Sequence, residues 1–249
     1  MQLLKLTAAV SVLFLMSCQK EVSVESNSTK ILLSITNTVN GSPLSFGTPY
    51  TNSFGEDFTV SKLKYYISNI ALIDSNGALH KSPDSYFLFD QGNPSSMNIS
   101  FSDQIAAYKG IQFLIGVDSI RNVSGAQTGA LDPTNEMFWT WNSGYIMAKL
   151  EGSSSLSTLP DNRIEYHIGG FEGPDKVLRT VSFEFDQVYH LSLNKTLTIN
   201  LNAELQNWFY GAHNLPIQNN ASCTTPGALA SEYSDNYATM FSLGSVTFQ

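Results

Sequence analysis

Short runs that alternate apolar and polar residues, each closed by turn residues, recur along most of this chain and leave few architectures open. Ile111, Phe113, Ile115 and Val117 all fall on one parity, the pattern of a strand with one face in a core. Residues 31–35, 86–90, 97–101, 145–150, 163–168, 177–185 and 196–201 read as further strands. In 58–73, Leu63, Tyr65 and Ile67 share a parity that Ile70 and Leu72 do not. That shift near Ser68-Asn69 predicts a bulge or bend between two strands. Asp74-Ser75-Asn76-Gly77 is a turn signal. Helical spacing is confined to 203–210 and 227–241. The pattern predicts an all-β fold, an antiparallel β-sandwich with one or two short C-terminal helices.

Residues 1–17 read as a leader rather than part of that fold. Lys5 supplies a positive start, and the apolar stretch 6–16 is too short to span a bilayer as a helix. Leu15-Met16-Ser17-Cys18 resembles a bacterial lipobox, which makes Cys18 the lipidated N-terminus; a plain secretory leader with an incidental Cys18 is the alternative. Residues 18–29 then form a polar tether, and 30–249 a single domain. The expected location is the cell envelope, as a periplasmic or outer-membrane lipoprotein held to the membrane by its lipid.

The net charge of −8 becomes −9 once Lys5 leaves with the leader, so nucleic acid is not an expected partner. Cys18 and Cys223 are the only cysteines. With Cys18 acylated no internal disulfide forms, and Cys223 is a free thiol, either buried and inert or available to a metal.

No nucleophile elbow, P-loop, Rossmann glycine pattern, H-E-x-x-H or C-x-x-C occurs, so no enzyme is expected. A soft or imidazole donor set remains. His167 ends a strand before Gly169-Gly170, either as a ligand or as a surface residue at a turn. His213 follows Trp208-Phe209-Tyr210, either desolvated toward its neutral ligating form or capping a helix end. Cys223 and Met240 add sulfur, and imidazole with sulfur favours copper over calcium or magnesium. His80 and His190 read as surface residues.

Residues 137–145, Met-Phe-Trp-Thr-Trp-Asn-Ser-Gly-Tyr, place Trp139 and Trp141 on one face of a strand. With Lys149-Leu150-Glu151-Gly152, this run resembles the signature of the MbnP-like family, the methanobactin-associated periplasmic copper-binding proteins. Residues 63–70, 115–119, 129–133, His167-Ile168-Gly169-Gly170, His213, 226–230 and 236–241 resemble its other motifs in order. The resemblance implies copper binding, with His167 and His213 as ligands and Cys223 and Met240 as additional candidates. It further implies a di-haem partner of the MauG type that oxidises Trp139 or Trp141 to kynurenine, whose aniline nitrogen and carbonyl would lie beside the metal. The alternative is a module that binds a glycan or protein through aromatic surface such as Trp208-Phe209-Tyr210. A hydrolase is the least favoured reading.

Overall fold

The computed structural model describes residues 29–104, 107–125, 127–140, 144–190 and 195–249. The leader, Cys18, the tether up to residue 28 and Trp141 lie outside the described residues. Fifteen strands are described. They are β1 (Thr29–Val39), β2 (Ser42–Pro43), β3 (Tyr50–Thr51), β4 (Asp57–Asp74), β5 (Leu79–Lys81), β6 (Tyr86–Asp90), β7 (Asn98–Asp103) and β8 (Ala107–Ile115). After them come β9 (Phe138–Trp139), β10 (Gly144–Ser153), β11 (Arg163–Gly169), β12 (Arg179–His190), β13 (Thr196–Glu204), β14 (Ser222–Cys223) and β15 (Phe241–Phe248). Two α-helices accompany them, α1 (Ser119–Asn122) and α2 (Ala228–Ala238).

The strands form two sheets. The smaller has the order β15-β13-β1-β2, with β7 also on β1. The larger runs β12-β8-β4-β10-β11-β14, with β3, β5 and β6 on β4 and β9 on β10. Alternation places Ile31, Leu33 and Ile35 of β1 and Leu197, Ile199 and Leu201 of β13 inside. They join Val60, Leu63, Tyr65, Ile111 and Phe113 of the larger sheet in one core. Phe241 bridges the sheets, edge-on to Tyr65 at 5.8 Å and to Phe113 at 5.3 Å. The buried Tyr65 hydroxyl donates to Asn37 Oδ1 at 2.9 Å, which spares both polar groups an unpaired burial.

The β-sandwich therefore stands, and it carries a feature absent from the sequence reading. β1 pairs with β13 in parallel over nine positions, from Lys30↔Thr196 to Thr38↔Glu204, and β14 runs parallel to β11. Parallel partners need a long connection, and here nearly the whole larger sheet is that connection.

The phase shift at Ser68-Asn69 is a bulge inside one strand of 18 residues rather than a break between two. Asn69 takes φ 51°, and the register with β8 slips between Ser68 and Ala71. The helix expected at 203–210 is instead the end of β13 followed by a 3-10 turn, Leu205–Trp208. Sheet pairing with β15 through Ala203 outweighs the weak local helical preference. α2 buries Ala230, Tyr233, Ser234 and Tyr237 on one face. No helix among the described residues is long and apolar enough to cross a membrane.

Candidate functional site

His167 and the seat of Trp139 lie on one face of β11, the face turned away from the core. In β11 the even positions Ile164, Tyr166 and Ile168 point into the core, so Glu165, His167 and Gly169 share the other face. In β10 the partners are Lys149 opposite His167 and Glu151 opposite Glu165. Yet β10 is buried without alternation from Gly144 to Leu150. The reason is a cover: the segment from Gly129 to Trp139 folds back over this face, and its last two residues form β9 against Gly144 and Tyr145.

Trp139 is 6 % exposed, and its indole lies on Gly169. A Cβ at Gly169 would stand 2.5 Å from Trp139 Cζ3, 2.7 Å from Cη2 and 2.9 Å from the Tyr145 carbonyl. The missing side chain is thus the seat of the ring's distal edge. His167 lies two residues earlier on the same face, about 7 Å back along the strand. Beyond Trp139 opens a groove of about 800 Å³ whose walls include Phe138, Gly144, Gly170, Phe171 and Pro226.

His167 Nε2 lies 2.8 Å from Glu151 Oε1. Glu151 Oε2 lies 3.5 Å from Lys62 Nζ, which also meets Glu136 Oε2 at 3.1 Å. The His167 hydrogen bond, against the cost of burial and with help from Lys62, brings the Glu151 carboxyl down to about 2. Lys149 is buried, and its ammonium donates to the Glu136 carbonyl. Burial holds the Lys149 ammonium below its ordinary range. Lys64 donates to the Asn135 carbonyl at 3.3 Å and pairs with Asp90 at 3.2 Å. Three lysines of the sheet thereby hold Asn135 and Glu136, the latter at φ 62°, just before the strand that delivers Trp139.

His213 lies elsewhere. Its Nε2 is 3.2 Å from Asp235 Oδ2 of α2, and Asp235 in turn holds Arg179 Nε at 2.7 Å. Its backbone is clamped by the fully buried Asn236, which accepts from His213 N at 2.8 Å and donates to His213 O at 2.9 Å. Tyr166 faces away from His167 and packs on Tyr233 of α2, ring centroids 4.8 Å apart. The larger sheet therefore separates the two histidine side chains, and they do not converge. Cys223 is buried beside Tyr166 in the β14–β11 pairing, and burial raises its thiol to about 11. A thiol in that range is protonated at neutral pH and is no ready ligand. Met240 is buried between α2 and β15. His80 closes its hairpin on Asp74 at 3.0 Å, and His190 is exposed at the end of β12.

A copper ion carried as cargo needs several converging donors. Among the described residues no three His, Cys, Asp or Glu side chains gather as a metal cluster. His167 gives one imidazole on the face where Trp139 is seated, held by Glu151, and further donors have to come from elsewhere. Of the aromatic run once read as surface, Trp208 and Phe209 are core; only Tyr210 is exposed, edge-on to Phe54 at 6.1 Å. The sequence reading assigned no role to Glu151, Lys149, Lys62 or Glu136. The available signal was Lys149 and Glu151 flanking Leu150, charges on the face opposite an apolar residue.

Fold and site together define an all-β, two-sheet sandwich protein with a histidine–carboxylate pair on the face where Trp139 is seated. The chain belongs to the MbnP family, whose model matches residues 28–225. A solved structure, MbnP from Methylosinus trichosporium, shares the fold at a TM-score of 0.53 and 14 % identity, over 87 % of this chain and 98 % of that one. No curated protein matches the chain.

Proposed function

We propose that this protein is a lipid-anchored, extracytoplasmic copper-handling protein that binds its cargo rather than catalysing a reaction. Family membership supports the extracytoplasmic setting, and the lipobox-like Leu15-Met16-Ser17-Cys18 supports the anchor. The observation that carries the copper reading is His167, paired with Glu151, on the same face as Trp139. The His167 imidazole provides one donor, and kynurenine formed from Trp139 or Trp141 by a di-haem partner of the MauG type would bring an aniline nitrogen and a carbonyl. His213 lies on the other side of the sheet and is assigned a structural role, clasping α2.

Copper content of the mature protein after loading and desalting tests this, with intact mass taken on protein from its native host. His167→Ala should remove stoichiometric copper and His213→Ala should not. Added mass from conversion of tryptophan to kynurenine, mapped to 139 or 141, would bring in the haem partner. Copper retained by the His167→Ala variant would sink the assignment.

The groove beside Phe138, Trp139 and Phe171 favours one other reading, a module that binds a glycan or protein without metal. In that case binding survives chelation and the loss of His167.

A further inference from the structure

We infer that Glu151 is a positioning residue for His167: it accepts a hydrogen bond from Nε2–H and leaves Nδ1 as the ring atom that donates to copper. The metal half of this inference rests on the copper reading above; the tautomer half stands on geometry. A neutral imidazole has one N–H and one lone pair, and an ionised carboxylate only accepts. With Glu151 Oε1 at 2.8 Å from Nε2, the proton belongs on Nε2.

The surroundings of Glu151 separate the two ring nitrogens further. Its other oxygen is 3.5 Å from the Lys62 ammonium, and Lys149, in register with His167, acts on the same carboxylate. Glu136, which is tied to Lys62 at 3.1 Å, and Lys64, which is tied to Asp90 at 3.2 Å, complete the charged groups toward β4. On β11 the neighbours are Glu165 and Arg163, paired with each other at 3.1 Å. A cation replacing the Nε2 proton would enter beside two ammonium groups and compete with them for one carboxylate. Bound at Nδ1 it leaves that network intact, and Glu151 then orients the ring, as carboxylates do behind metal-bound histidines.

Long-range ¹H–¹⁵N correlation on the histidine-labelled mature protein tests this, with the His167 signals identified by their loss in His167→Asn. The metal-free protein should show His167 as a single Nε2–H tautomer when neutral. Glu151→Gln should keep that tautomer, since the amide oxygen still accepts, and Glu151→Ala should lose it to a mixture. Cu(I), which is diamagnetic, should shift Nδ1 and spare the Nε2 proton. Its affinity should fall about ten- to a hundred-fold in Glu151→Ala and less in Glu151→Gln. An Nδ1–H tautomer or a mixture in the parent protein, or a Cu(I) response at Nε2, overturns the proposal. If the tautomer is as stated but neither nitrogen responds to Cu(I), the copper reading falls and takes the ligand role of Nδ1 with it, while the Glu151 assignment holds.

Discussion

Gly169→Ala probes the seat of Trp139 with one added methyl group. The backbone there lies outside the left-handed range, so alanine brings no conformational strain of its own. The whole effect is contact. The new Cβ would sit 2.5 Å from one indole carbon, 2.7 Å from another and 2.9 Å from the Tyr145 carbonyl, against ordinary contacts near 3.5–4 Å. The carbonyl belongs to β10 and cannot retreat without breaking the ladder, so the indole must move. Overpacking of this kind costs about 1–3 kcal/mol. At about 2–4 °C per kcal/mol for a domain of this size, Tm should fall by roughly 2–12 °C. Guanidinium denaturation followed by far-UV circular dichroism measures the loss, and tryptophan fluorescence reports the displaced ring. Pairing the change with Trp139→Leu isolates the cause: without the distal ring edge, the cost of Gly169→Ala should drop by about 1 kcal/mol or more. An alanine that costs nothing, or costs the same in both backgrounds, refutes the seat.

Other outcomes follow from the same structure. Glu56 is 3 % exposed and accepts from Asn52 Nδ2 and Ile217 N, each at 2.7 Å, and from Gln218 N at 3.1 Å. Glu56→Ala strands those donors and should cost about 3 kcal/mol or more in denaturant titrations, whereas an exposed change such as Glu172→Ala should cost little. Glu151 has a folded-state value near 2 against an ordinary 4.5, so its contribution is present above pH 4.5 and lost as pH falls toward 2. Stability measured across that window should fall less steeply in Glu151→Gln. Cys223 should resist thiol reagents at neutral pH in the folded protein and react promptly in guanidinium, with Cys18 acylated or replaced; rapid native reaction would contradict its burial.

Strand parity was legible because it depends only on which residues face the core, as Ile111, Phe113 and Ile115 show. The β1–β13 pairing was not, since nothing local marks which distant strand a run such as residues 31–35 will join. His167 and Trp139 were legible through the motifs that carry them. Their neighbourhood follows from Gly169, whose use as a seat depends on a fold-back of residues 129–139 that no periodicity announces. The pairing of His213 with His167 is what the family resemblance implies, and a motif match does not say which side of a sheet a residue occupies. The charged contacts of Glu151 were hidden for a related reason: they join the covering segment, β10, β11 and Lys62 of β4, the last 74 residues before Glu136.

The parallel β1–β13 ladder also sets a timetable. β1 is the first of the described strands to emerge from a ribosome, yet the Thr38 hydroxyl finds its acceptor, the Ala203 carbonyl, 165 residues later. Until then β1, which carries Ile31, Leu33 and Ile35, has β2 and β7 on one edge and lacks its parallel partner on the other. At about 5–20 residues per second, that wait lasts roughly ten to thirty seconds, long beside the time in which exposed apolar strands find wrong partners. The slowest folding step of a chain built this way should be closure of the β1–β13–β15 sheet rather than assembly of the larger one.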